Sequence, residues 1–191
     1  MGGAAMKVLI LDGCAMEAPA AVWLAEFGRA RGWAATTLVL RELEIAPCTG
    51  CFGCWLRTPG ECVNDDDGRD VLRQLVQSDG VILLTPVTFG GYSALLKRAL
   101  DRSIPMISPF FATLNGETHH RRRYAHHPRM AMLGLTADDN PEEEQVFRTL
   151  AARNALNFHE PQPAVAVVQA NSSAADLNAV LTSTFDAAGW K

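Results

Sequence analysis

The chain has 191 residues, 48% of them hydrophobic and 20% charged, with a formal net charge of −4. Such a composition suits a globular protein, and the negative balance argues against nucleic acid as a partner. No apolar run reaches the ~18 residues of a membrane-spanning helix, and the opening MGGAAMK lacks the apolar core of a secretory signal. A cytoplasmic protein without a membrane partner is therefore expected, as one domain over residues 1–191.

KVLILD at 7–12 is a short apolar run and reads as a buried strand. EAPAAVWLAEFGRAR at 17–31 predicts a helix with Val22 and Phe27 on its apolar face, and Gly32 stops it. TTLVLREL at 36–43, rich in branched residues, is a second strand. A loop over 45–64 carries four of the five cysteines, and Asp65, Asp66 and Asp67 can cap the helix that follows. GVILLTP at 80–86 is a third strand. The helix after it, 92–102, sets Lys97, Asp101 and Arg102 at the spacing of a local ion pair. Residues 103–128 read as an irregular, basic loop. RMAMLGL at 129–135 is a fourth strand, and PEEEQVFRTLAARNAL is a helix with Pro141 early and glutamates at its positive end. PAVAVVQA at 163–170 is a fifth strand, and a helix over 172–188 closes the chain.

Strands that are continuous apolar runs, alternating with helices, predict a parallel sheet covered on both faces. Five such units suit an α/β flavodoxin-like sheet of order 2-1-3-4-5. Ligands of such sheets bind outside the carboxyl ends of the strands, so the loops after Asp12, Thr85 and Leu135 matter most.

The cysteines Cys48, Cys51, Cys54 and Cys62 follow the spacing C-x2-C-x2-C-x7-C. A cytoplasmic location speaks against a disulfide framework, and Cys14 stands apart as an odd fifth. C-x2-C-x2-C is a compact turn able to present three thiolates to a [4Fe–4S] cluster, with the fourth further along. Reduced thiols without metal are an equally open reading. Zinc fits less well, because its structural sites use separated knuckles or recruit histidine.

PCTGCFGC, then GECVNDDD, then SDGVILLTPVTFGGYSALLKRALDR together resemble the NADPH-dependent FMN reductases, and within them the branch that includes the iron–sulfur flavoproteins. The resemblance implies FMN at the strand ends, with Pro86, Val87, Thr88, Phe89 and Gly90 along the edge of the isoalloxazine ring. Thr88 stands where that family usually has a tyrosine. The resemblance also implies a phosphate loop at Gly13, Cys14 and Met16. There the sequence GCAMEAPAA departs from the family's GSPRKNGNT: Cys14 replaces a serine, Met16 an arginine and Ala21 a threonine. The N–H groups of the helix start remain, and Asp12 and Glu17 bring negative charge nearby. For the cysteines the resemblance implies a cluster on Cys48, Cys51, Cys54 and Cys62.

The expected activity is that of an NAD(P)H-dependent flavoprotein. It would reduce a quinone, a flavin or another small acceptor, or a redox protein, as a homodimer. The altered first loop keeps a non-catalytic binding module open, and the cysteines keep an iron–sulfur electron carrier open. No G-x-G-x-x-G follows a strand, so a separate nicotinamide-binding domain is not expected. ETHHRRRYAHHPR at 117–129 holds four of the five histidines and four arginines. It reads as a lid in which Arg121, Arg122 and Arg123 bind an anion, as a metal site, or as a solvated insertion.

Overall fold

The computed structural model describes residues 4–190; the first three residues and the last one of the expected 1–191 span lie outside the described residues. Neighbouring strand residues bury on opposite faces of one sheet, which is why the strands read as unbroken apolar runs. Val8 and Ile10 of β1 (Lys7–Asp12) face one way, Leu9 and Leu11 the other. The next elements are α1 (Pro19–Ala30), β2 (Ala34–Val39), α2 (Gly53–Leu56), α3 (Asp67–Gln77), β3 (Gly80–Pro86) and α4 (Ala94–Asp101). They are followed by β4 (Ile107–Leu114), β5 (Glu117–Arg122), β6 (Arg129–Thr136), α5 (Pro141–Asn157), β7 (Ala164–Gln169) and α6 (Ala174–Ala187).

The main sheet has the order β2-β1-β3-β6-β7, and every pairing in it is parallel. With β6 and β7 as the fourth and fifth core strands, this is the expected 2-1-3-4-5. On one face Leu24 and Phe27 of α1 meet Leu177, Leu181 and Phe185 of α6. On the other, Leu75 of α3, Leu96 of α4 and Phe147 of α5 close the layer. A side chain of this size contributes about 1.5–3 kcal/mol when fully buried.

The helix α1 buries Phe27 as expected but not Val22. Its buried residues are Ala20, Leu24, Phe27 and Gly28, one stripe at three- and four-residue spacing, whereas Val22 is 59% exposed. The stop is as expected. Gly32 adopts φ +77°, Trp33 N–H donates to Gly28 O (2.9 Å), and Gly32 N–H donates to Arg29 O (3.0 Å). This is the paired capping pattern of a left-handed helix end.

The basic segment is the main correction. It is not irregular, because residues 107–122 form an antiparallel hairpin, β4 against β5, in a small second sheet. The turn is Asn115 and Gly116, with φ 52° and 83°. Asn-Gly is a strong two-residue hairpin signal, but the polar ETHHRR of β5 masked the strand beside it. Each of the three arginines bonds a backbone carbonyl. Arg121 Nε donates to Phe111 O (3.0 Å), Arg122 Nη2 to His159 O (3.1 Å) and Arg123 Nε to Pro105 O (2.8 Å).

His127, beyond β5, packs edge-on against the His159 ring, and its two ring nitrogens are buried without a hydrogen-bond partner among the described residues. Burial pushes its pKa down from 6.5 to about 4, with Arg122, His159 and His126 adding repulsion and the Phe158 carbonyl working the other way. The folded protein therefore holds this imidazole neutral, and the unfolded chain binds the extra proton. Stability from this site is full above pH ~6.5 and falls as pH drops toward about 4. Urea midpoints taken from pH 7 to pH 4.5 should fall more steeply in the wild type than in His127→Phe; parallel slopes would refute the assignment.

Candidate cofactor site

The chain leaves β1 through a tight passage. Gly13 N–H donates to Leu84 O (2.8 Å), and a Cβ at Gly13 would stand 2.7 Å from Leu96 Cβ, so only glycine lets the loop lie against α4. Asp12 is buried and accepts from Cys14 N–H (2.9 Å) and from Arg41 Nη1 (3.1 Å). The negative charge expected from Asp12 is thus paired with Arg41. Only Glu17 remains as an exposed one. Burial, and then Asp12, push the Cys14 thiol up to about 12, so this residue is an inert neutral thiol. Met16 is 80% exposed. Ahead of α1, the N–H groups of Ala15, Met16 and Glu17 have no hydrogen-bond partner among the described residues, and Ala18 caps the helix without a side-chain bond. These three groups lie ahead of the helix, whose first position is Pro19 without an N–H and whose Ala21 N–H already donates to Ala18 O (3.0 Å).

The loop after β3 is tied to this one by Ser93. Its hydroxyl donates to Gly13 O (2.6 Å) and accepts from Leu96 N–H (3.2 Å), capping α4. Its own N–H donates to Thr85 Oγ1 (2.9 Å). Thr88 and Gly91 exchange hydrogen bonds of 3.0 and 2.9 Å around a turn whose centre, Phe89 and Gly90, has φ 50° and 73°. Val87 N–H donates to Leu135 O (2.8 Å), and Gly90 N–H to Glu143 Oε1 (3.0 Å). Phe89 N–H alone in this run lacks a partner among the described residues, and its side chain is 97% exposed. Pro86, Val87, Thr88, Phe89 and Gly90 are therefore brought to one edge with Gly13 and Cys14. Glu143 went unnoticed in the sequence, where it is one of three glutamates starting α5.

Within 45–64 the chain forms a single helical turn, α2, entered through Gly50 (φ 66°) and Phe52 (φ 54°). All four cysteines of the loop are free thiols and line one hollow, walled by Phe52, Val63 and Ile104. Burial raises the Cys54 pKa, with smaller contributions from Cys62, Cys48 and Cys51. The Gly53 N–H, 3.4 Å from its sulfur, lowers the pKa of Cys51. Among the described residues, no three His, Cys, Asp or Glu are grouped so as to hold a metal ion.

The loop is suspended from Asp66, the expected cap of α3, which accepts from Gly68 N–H (3.0 Å) and Ala46 N–H (2.9 Å). Arg102 grips the same carboxylate with two bonds of 2.7 Å and donates to Ala46 O (2.7 Å). Arg102, with the two N–H groups, holds Asp66 below the usual carboxylate range. Of the expected local pair in α4, Lys97 and Asp101 do pair, whereas Arg102 reaches across to Asp66 instead.

A parallel sheet with a glycine loop and a strand-end turn joined across one edge defines a flavodoxin-like α/β protein. The family model described as NADPH-dependent FMN reductase matches residues 6–172, and the chain belongs to that family. It is 36% identical over 90 residues to an iron–sulfur flavoprotein of Methanosarcina thermophila, covering 47% of this chain and 46% of that one. It is 43% identical over 67 residues to an iron–sulfur flavoprotein of Methanocaldococcus jannaschii, covering 35% and 34%. The chain thus matches less than half the length of these relatives. In fold it is similar to an NAD(P)H:quinone oxidoreductase from Methanothermobacter marburgensis, with a TM-score of 0.67 at 13% identity over 98% of this chain and 100% of that one.

Two measurements check this geometry. At pH 8, iodoacetamide should label Cys51 at least about a thousandfold faster than Cys14, because only the thiolate reacts; comparable rates by peptide mass spectrometry would contradict the buried Asp12–Cys14 contact. A Cβ at Gly90 would lie 2.4 Å from Val146 Cγ1, whereas one at Gly32, also at positive φ, would meet nothing within 4 Å. Gly90→Ala should therefore cost about 1–3 kcal/mol of stability more than Gly32→Ala in urea unfolding; equal costs would show the turn to be loosely packed.

Proposed function

We propose that the chain is a flavin-dependent oxidoreductase. FMN would bind at the edge formed by residues 13–18 and 86–91, NAD(P)H would reduce it, and a quinone, a free flavin or another small acceptor would take the electrons. The observation that carries this reading is the Ser93 bridge, which brings the two loops together at the carboxyl ends of β1 and β3.

Bound FMN would supply the hydride chemistry. The residues would supply its seat. The open N–H groups of Ala15, Met16 and Glu17 suit the phosphate ahead of α1, with the backbone of Gly13 and Cys14 beneath it. Arg41 neutralises Asp12, so a phosphate meets no uncompensated carboxylate from that side. Pro86, Val87, Thr88 and Gly90 would line the isoalloxazine edge. Three of their neighbouring N–H groups are already bonded within the protein, which leaves Phe89 N–H to donate to a ring atom. The exposed Phe89 ring offers an apolar face to the nicotinamide, the acceptor or a second subunit, and a cytoplasmic homodimer belongs to this reading.

The cysteine hollow favours a second cofactor. Cys48, Cys51, Cys54 and Cys62 would be the residues to hold a [4Fe–4S] cluster, which would supply one-electron chemistry beside the flavin. The support is the apolar hollow that all four thiols line.

A visible spectrum of protein purified without oxygen, with iron and sulfide assayed on the same sample, tests both. Two flavin bands together with about four irons per chain are expected. Flavin without iron, after anaerobic reconstitution, would remove the cluster. A colourless protein that takes up neither added FMN nor iron would overturn the flavin reading and leave a non-catalytic binding module.

A further inference from the structure

Phe89 presents its ring almost wholly to solvent, yet the turn that carries it is held closely. Gly90 N–H donates to Glu143 Oε1 (3.0 Å). A Cβ at Gly90 would collide with Val146 and stand 3.4 Å from Glu143 O, so the turn lies directly on the start of α5. Glu143 is half-buried, and its own N–H donates to Asn140 Oδ1 (3.2 Å) in the first turn of that 17-residue helix. The carboxylate is thus fixed against the backbone that holds the exposed ring.

That carboxylate has no counter-ion. Among the described residues Asp12 pairs with Arg41 and Glu144 with Arg148, whereas no Lys, Arg or His pairs with Glu143. The loops that Ser93 and Glu143 tie together are 13–18, 86–93 and 137–144. Their charged residues are Glu17, Asp138, Asp139, Glu142, Glu143 and Glu144, with no Lys, Arg or His. A rim of one sign of charge concentrates ligands of the opposite sign. The face of an aromatic ring such as Phe89 is also negative and attracts cations.

We propose that this edge selects its electron acceptor by charge. Planar aromatic acceptors that are cationic bind in preference to anionic ones of the same shape, with Phe89 as the stacking face and Glu143 as the fixed counter-charge. This inference rests on the flavin reading of the edge and names the class of acceptor. A reduced nicotinamide dinucleotide is anionic overall, but its pyrophosphate lies several bonds from its ring and can extend past the rim. A compact acceptor carries its charge on the ring that meets Phe89.

The test titrates FMN-loaded protein by calorimetry with two redox-inert probes of one shape, naphthyl-trimethylammonium and naphthalene-sulfonate. The cation should bind at least about 10-fold more tightly at low salt. The ratio should shrink at about 1 M salt, where charges are screened beyond ~3 Å. Naphthoquinones bearing the same two substituents should follow the same order in kcat/KM. Glu143→Gln, whose amide oxygen can still accept from Gly90, should lower the binding ratio at least about threefold. Asp138→Asn/Asp139→Asn, at exposed positions, should lower it as well and decides the matter if Glu143→Gln does not fold. Equal affinities for the two probes, or a ratio indifferent to salt and to both variants, would overturn the proposal. A ratio that falls in the double variant but not in a folded Glu143→Gln would remove the role given to Glu143. A protein that takes up no FMN overturns the flavin reading itself, whereas FMN-loaded protein with equal affinities overturns only the selection by charge.

Discussion

All five strands of the main sheet run in the same direction, and the candidate cofactor site depends on that constraint. Parallel strands deliver every strand-to-helix loop to one edge, where a ligand can touch several loops at once. Burial on both faces keeps the three central strands in place, whereas the edge strand β2 is partly exposed along its length. The loops themselves contribute little packing, so their relation is set by a few directed bonds. Ser93 is the most consequential, joining the end of β1, the end of β3 and the start of α4 with three hydrogen bonds. Glu143 extends the network from α5 to the turn at Gly90.

Charge near this edge is paired within the protein. Asp12, buried at the end of β1, meets Arg41, and Asp66, at the start of α3, meets Arg102. Taking two ions out of water costs several kcal/mol each unless geometry and further hydrogen bonds compensate. The second pair meets that condition well: Asp66 receives two backbone N–H groups in addition to the guanidinium fork. It does for the cysteine loop what the sheet does for the strands. A four-residue helical turn cannot fix the positions of thiols on its own, so the loop's order comes from this anchor.

The hairpin forms the other wall of that loop. Phe52 stacks on Trp55 with ring centroids 5.3 Å apart; Trp55 meets His120 at 4.9 Å, and His120 meets Phe111 at 4.8 Å. Trp55 Nε1 also donates to Ile107 O (3.0 Å). A two-stranded sheet is marginal alone in water. Here it is held by this ring contact and by arginines bonded to carbonyls of the main body.

Much of the architecture was legible because it is written in local periodicity. Four of the apolar runs, the stop at Gly32, the cap at Asp66 and the cysteine spacing each depend on residues a few positions apart and were read from the sequence, whereas the second strand, expected at 36–43, runs over Ala34–Val39 and ends in a helical turn at Leu40–Glu42. The hairpin was legible in principle from Asn115 and Gly116, and was hidden only by the polar strand beside them. Val22 was misjudged because it is apolar, whereas the stripe that buries is set by which turn faces the sheet. What tertiary structure alone decided are the partners of charged and polar groups. Arg102 lies 36 residues from Asp66, Arg41 29 from Asp12, and Gly90 53 from Glu143. No local pattern specifies such pairs. A charge takes whichever counter-ion the folded chain sets within about 4 Å, and that distance exists only once the sheet has brought the loops to one edge.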